Sequence, residues 1–283
     1  MTIRDTTAER GGDAPLGGTG LAERVFRVQQ AFTRLDGDVH GPGELARATG
    51  LDDSTVHRIL RSGLRQGMFV RLGHGRYSLG AAVVQLAIHA CSHRQDPHLV
   101  HAVLEELRVA AGGPVFFYAL APFGTTRRLC VDMAVTESDL RDIGYAADDI
   151  LSVARPLRSG ACGRAILAFL PLSAQRGALD VALPSYAGPG ALTDWDALRA
   201  SLDETRRYRY AVGKDEDLPG WNSCAAPVLW GEAVLGSVLV LRRAAEMPVM
   251  APVVIRETQR AAAELALLFG GQGPGPAWPD GTW

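Results

Sequence analysis

Lysine is almost missing from this sequence: Lys214 is the only one, and the other 28 of the 29 basic residues are arginine. Alongside abundant alanine and glycine, this reads as genomic composition bias rather than chemistry. Cysteine is sparse too. Cys91, Cys130, Cys162 and Cys224 stand far apart with no CxxC pair, which argues against a disulfide framework or a zinc site and fits reduced thiols in the cytoplasm. No apolar run approaches the roughly 20 residues of a membrane span. The opening "MTIRDTTAERGGDAPLGGTG" lacks the apolar centre of a signal peptide. The expected location is therefore cytoplasmic, with no membrane partner.

Catalytic signatures are missing as well. The chain has no G-x-S-x-G, Walker A loop or dinucleotide fingerprint. Cys162 opens a helix, where a thiol pKa can fall, but no histidine follows His101 to act as its base. A small residue packed at a tight turn explains Cys162 better. His89, Cys91, His93, His98 and His101 cluster, and His89 and His93 have the i, i+4 spacing of helical metal ligands. No carboxylate completes an H-E-x-x-H motif, and Pro97 separates the two histidine pairs. The expectation is no enzyme, no metal and no cofactor.

What is present is enough apolar sequence for two soluble domains: 283 residues, 47% apolar and 21% charged. Charge is unevenly spread. Leu21–Gly80 holds nine arginines against six acidic residues, a surplus of three positive charges, and the whole chain is at −2. A locally basic module in a mildly acidic chain is a modest pointer to nucleic acid.

Residues 1–20 are polar and glycine-rich and read as a disordered arm. Leu21, Val25, Val28, Phe32 and Leu35 then recur on one helical face. Gly43–Thr49 reads as a short second helix closed by Gly50, with small Ala46 where two helices cross. A third helix spans "DDSTVHRILRSGLRQ", residues 52–66. Its apolar stripe is Val56, Ile59, Leu60, Gly63 and Leu64. The opposite face carries Ser54, His57, Arg58, Arg61, Ser62 and Arg65 without an acid among them. "MFVRL", "GHG" and "RYSLG" read as a hairpin. Alone, such a helix is more often a solvated surface. Placed between a glycine turn and a hairpin, it reads as the DNA-entering helix of a winged helix-turn-helix.

"GAAVVQLAIHACSH", residues 80–93, is apolar and helical in period and lies where a linker or dimer helix would sit. From Gly113 the texture changes to strands flanked by helices. "PVFFYALAP", "RRLCVDMAV", Tyr208–Val212, "NSCAAPVLW" and "AVLGSVLVLRR" read as strands. Residues 98–111, "GACGRAILAFLP", Trp195–Arg207 and Ala251–Phe269 read as helices. That pattern is an α+β domain on a mostly antiparallel sheet. The Gly/Pro-rich end reads as a disordered tail.

At this point the residues resemble a known family. "LARATGL", "STVHRIL" and "GRYSLG" follow, in order and at the right spacing, the DNA-binding domain of the IclR family of bacterial transcription regulators. "ARPLRSGACGRAILAFLP", "YAVGKDEDLPGWNSCAAPVL" and "LGSVLVL" resemble its second domain, so the likeness spans about residues 21–269. The resemblance implies an N-terminal winged helix-turn-helix over 21–80, a linker helix over 81–96 and a GAF-like effector domain over 97–270, with a disordered tail over 271–283. It implies double-stranded DNA and a small-molecule effector as partners, and self-association as a dimer or tetramer. The expected DNA-contacting residues are Ser54, Thr55, His57, Arg58, Arg61, Ser62 and Arg65, with Arg71 and Arg76 on the hairpin. Carried over by motif, the effector cavity falls to Ala161, Cys162, Gly213, Ser223, Leu239 and Leu241. The rival reading is a small-molecule sensor or enzyme that uses the winged helix only for protein contacts.

Two departures matter. The family often has a proline and a basic residue where this chain has Asp52 and Asp53, which start the helix by capping and through the helix dipole but repel phosphates. Its last strand reads "VLVLRR" where serines are common, and Gly213 stands where an acid is common. Fewer polar anchors there lead to the expectation of a ligand more apolar than a small carboxylate, with loss of the ligand as the alternative.

Overall fold

The computed structural model describes residues 19–91, 96–121, 126–185 and 187–270. The expected arm and tail lie almost wholly outside the described residues, as does His93. The chain forms two compact units, Met1–His89 and Ala90–Trp283, each taken here by itself.

The first unit runs α1 (Thr19–Arg34), α2 (Pro42–Thr49), α3 (Asp53–Arg65), β1 (Phe69–Leu72) and β2 (Arg76–Leu79). Helix α4 (Ala81–Cys91) begins in this unit and crosses its boundary. Pro42 opens α2, where its missing N–H costs nothing, and the Glu44 carboxylate accepts the Gly41 N–H at 2.8 Å. Gly50, at φ +66°, ends α2 in the left-handed conformation expected for the turn. The apolar face of α3 then packs Val56, Ile59 and Leu60 against Val28, Phe32 and Leu45, with Phe69 and Tyr77 closing the core. A Cβ at Gly63 would overlap the Phe69 ring, so glycine lets β1 fold back onto α3. In the hairpin turn, His74 (φ +56°) and Gly75 (φ +73°) are both left-handed, and the Arg76 N–H donates to Gly73 O at 3.3 Å.

The second unit contains α5 (Pro97–Ala111), β3 (Val115–Leu120), β4 (Arg127–Ala134), α6 (Glu137–Ile143), α7 (Ala147–Ser152) and β5 (Arg155–Pro156). It continues with α8 (Gly160–Leu167), α9 (Leu172–Leu179), α10 (Trp195–Tyr208), β6 (Ala211–Lys214), β7 (Trp221–Trp230), β8 (Ala233–Arg243) and α11 (Pro252–Leu268). Its sheet has the order β5-β4-β3-β8-β7-β6, every pairing antiparallel. Alternation along the strands divides the core. Val115 and Phe117 of β3, Cys224 and Ala226 of β7 and Val238 and Val240 of β8 pack under α5 and α11. Phe116, Tyr118, Ala225, Leu239 and Leu241 face the other way, toward α8 and Ile143 and Ile150 of α6 and α7.

The expected α+β, two-domain architecture is present. Helices α6, α7 and α9 and the short β5 did not emerge from the sequence. The strand expected at Tyr208–Val212 starts later, at Ala211, because α10 runs through Tyr208 and ends on Arg209 at φ +60°.

Candidate nucleic-acid interface and ligand cleft

On α3 the open face is narrower than the sequence pattern alone implies. Asp52 is the N-cap: its Oδ1 accepts the Thr55 backbone N–H at 2.8 Å and the Ser54 hydroxyl at 2.5 Å. The Ser54 bond first, then Thr55, holds the Asp52 carboxyl well below the usual carboxylate range. Ser54 is therefore exposed but already engaged. Thr55 corrects the expectation: it is only 4% exposed and faces the core, with its Oγ1 3.4 Å from Arg58 Nη2. Its position on the helix places it between the apolar stripe and the polar arc, and packing decides the matter.

His57, Arg58, Arg61, Ser62 and Arg65 are all exposed along one side of α3. Arg71 is exposed on β1. Arg76 is not a free wing cation: its Nη2 donates to the Val39 carbonyl and lies 3.9 Å from Glu44 Oε2. It ties the hairpin to the start of α2.

In the second unit a cleft of about 50 Å³ opens on the α8 side of the sheet. Phe116, Ile143, Ile150, Leu218, Leu239 and Leu241 supply apolar walls, and Tyr118 and Tyr145 supply rings with hydroxyls. Three charges converge on it. Arg128, 1% exposed, donates to Ser159 O at 3.0 Å and to Asp217 Oδ2 at 3.1 Å, and its guanidinium lies 5.3 Å from the Tyr118 ring centre. Arg155 lies 4.9 Å from the Tyr145 ring centre. Asp217 completes the set. Beside the cleft, the buried Arg164 binds both oxygens of Glu216, with Nη2 to Oε1 at 3.0 Å, and donates to Val212 O at 2.8 Å. That pair pins α8 to β6 and the residues after it.

The thiols behind this surface are buried. Burial pushes Cys130 up to about 12 and raises Cys162 also. Cys162 is fully buried, with its Sγ 3.0 Å from Ser237 Oγ and its side chain in the cluster that backs the cleft.

Residues 21–70 match the family model described as the IclR helix-turn-helix domain, and residues 153–238 match that of the bacterial transcriptional regulator IclR C-terminal domain. A relative from Cupriavidus necator, described as the probable transcriptional regulator SauR, is 30% identical over 210 residues, covering 74% of this chain and 79% of that protein. The chain belongs to the IclR family. The regulator KipR of Bacillus subtilis is 26% identical over 193 residues, 67% of this chain and 74% of that one. Among solved structures, an IclR-type regulator from Silicibacter superposes with a TM-score of 0.54 at 23% identity, covering 91% and 99% of the two chains. An IclR homologue from Microbacterium hydrocarbonoxydans, solved with 4-hydroxybenzoate, gives 0.51 at 18% identity, covering 88% and 99%. The chain is thus a transcription regulator with a DNA-binding head and an effector-binding domain, not an enzyme.

The IclR-derived cavity positions fare unevenly against the geometry. Leu239 and Leu241 line the cleft. Ala161 and Cys162 lie fully buried in the same cluster. Gly213 and Ser223 are register partners on β6 and β7, packed so closely that a Cβ at 213 would overlap Ser223 Oγ. They form wall, not opening. Arg128 of β4, Arg155 of β5 and Asp217 of the loop after β6 also line the cleft, none of them among the positions carried over by motif. One signal was available: in "RRLCVDMAV", period-2 alternation puts Arg128 on the same inward face as Cys130. An inward arginine on a strand requires a purpose.

Proposed function

We propose that the protein acts as a homo-oligomer that grips duplex DNA through α3 and the hairpin, under the control of an anionic small molecule with a flat apolar body. The carrying observation is the row of exposed side chains, His57, Arg58, Arg61, Ser62 and Arg65, on a helix whose other face is locked into a winged core. Arginine binds guanine O6 and N7 in a bidentate way, and the remaining cations grip phosphates. Ser54 supports the helix end, Arg71 is the hairpin cation offered to the backbone, and Arg76 holds the hairpin in place. Binding to DNA puts the protein in the cytoplasm and, when bound, on the nucleoid.

Self-association is supported by the surface of α4. Val84 and Leu86 are 46% and 59% exposed on opposite sides of an apolar helix, and a second copy of α4 is the partner that such an all-round apolar surface fits. Two copies present two recognition helices to half-sites of a two-fold operator.

The ligand reading rests on the cleft itself. Apolar walls and two tyrosine rings fit an aryl body, and the guanidinium groups of Arg128 and Arg155 against those rings suit an anionic head. A singly charged aryl carboxylate matches, and it is more apolar than a small carboxylate.

Titrating salt against binding to duplex from the gene's own upstream region tests the DNA reading. Affinity should fall steeply and log-linearly with salt; a salt-independent signal or no binding sinks it.

A further inference from the structure

The cleft is closed by one of its own charges. Asp217 stands on the loop after β6, between Asp215 (φ +56°) and Gly220 (φ +81°), both in left-handed conformations. Its Oδ2 is paired with Arg128 Nη2 at 3.1 Å, and its Oδ1 is buried with no hydrogen-bond partner among the described residues. The carboxylate lies directly on Gly160, where any side chain would overlap it. A buried carboxylate oxygen with nothing to accept from is costly, so one half of this ion pair is poorly satisfied where it sits.

The volume makes the same point. About 50 Å³ is far less than the roughly 300–1,000 Å³ of pockets that hold organic ligands. Something must leave for a ligand to enter. Phe116, Tyr118, Leu239 and Leu241 are fixed in β3 and β8 within the sheet core. Arg128 is held from three sides, by the Pro156 and Ser159 carbonyls and by Asp217. Asp217 has a single ion pair among the described residues and 17% of its side chain exposed, which leaves it a path to water.

We infer that Asp217 is a built-in stand-in for the effector: an incoming carboxylate takes its place on Arg128 and expels it from the cleft. The inference rests on the cleft being the effector site. It explains why a site for an anion carries an acid, since a buried guanidinium needs a counter-ion when the site is empty. It also supplies a difference between the two states, which any ligand-driven switch requires. Expelling Asp217 releases the loop that Arg164 and Glu216 pin to α8 from its second anchor.

The test is calorimetric titration of the full chain with benzoate and, as the uncharged shape control, benzamide. Asp217→Asn removes the competitor while keeping the shape, so benzoate should bind that variant about tenfold more tightly than wild type. The gain should vanish when Arg128→Met is added, and benzamide should gain nothing. An unchanged benzoate affinity means Asp217 is not displaced, and a weakened one makes it a direct ligand contact; either overturns the inference. A gain that survives Arg128→Met is simple charge repulsion and overturns it too. If benzoate binds neither protein, the ligand reading falls with it, whereas salt-dependent DNA binding stands or falls separately. Should Asp217→Asn fail to fold, crystals of the wild type grown with benzoate decide. They should show the ligand carboxylate on Arg128 and Asp217 turned outward; benzoate beside an intact Arg128–Asp217 pair overturns the inference.

Discussion

Arg58 lies near the N-terminal end of α3 with an exposed side chain whose one internal hydrogen bond among the described residues is the 3.4 Å contact to Thr55 Oγ1. That contact is long and weak, so it aims the guanidinium without occupying it. Arg58→Ala is expected to weaken operator binding by about 1–3 kcal/mol and to relax preference at one base position. Equal affinity for the operator, measured by fluorescence anisotropy, would remove Arg58 from the base-reading set. Asp53 acts with the opposite sign. It is exposed in the first turn of α3, where its charge suits the helix dipole but opposes phosphates. Asp53→Lys should raise affinity for random-sequence duplex at low salt, an effect that fades as salt screens it. No change would mean that the acid points away from DNA. The thiols make a third case at this scale. Burial moves Cys130 and Cys224 from 9.0 to about 12, a raised folded pKa. Their contribution to stability is therefore whole below the unfolded value and is lost as pH climbs from about 9 toward 12. Unfolding midpoints across that window should fall with pH, and Cys224→Ala should flatten the slope by about 1.4 kcal/mol per pH unit. An identical slope in the variant would show that this thiol is ionised as readily in the fold as in the open chain.

Elements reveal which signals a sequence carries openly. Helix α3 was legible because its stripe, its cap at Asp52 and its closing glycine region all lie within fifteen residues, and the hairpin because GHG forces a tight turn. Gly63 joins the two, since any side chain there would meet the Phe69 ring. Gly63→Ala should destabilise the DNA-binding head by about 1–3 kcal/mol through overpacking, with the melting transition of that unit moving down; an unshifted transition would mean the hairpin can give way. Helices α6 (7 residues), α7 (6 residues) and α9 (8 residues) are too short to establish a period. The cleft was illegible for a related reason. Arg128, Arg155, Asp217 and Leu239 are brought together by the strand order β5-β4-β3-β8-β7-β6, and no local pattern encodes which strands become neighbours. Thr55 shows the reverse limit: helical angle placed it at the edge of the polar arc, and only packing turned it inward.

At the scale of the whole molecule, the proposed self-association would bring two heads to one operator, and α4 is the element proposed to join them. It begins in the first unit and ends in the second. Its side chains Val84 and Leu86 are exposed on a helix carrying no Asp, Glu, Lys or Arg. A solvated helix of that length is ordinarily amphipathic, whereas one apolar nearly all round is ordinarily covered. The proposed cover is a second copy, whose closed two-fold pairing would match an operator of two-fold symmetry. Val84→Glu combined with Leu86→Glu puts a carboxylate on each side of α4, so whichever side a second copy covers meets like charges, while both cores stay intact. The double variant should sediment at a lower mass than wild type, bind a single half-site with unchanged affinity and lose most of its preference for paired half-sites about one helical turn apart. If it sediments as wild type does, α4 is not the joining surface. If instead it falls apart yet still favours paired half-sites, the two heads are brought to the operator by the DNA and not by each other.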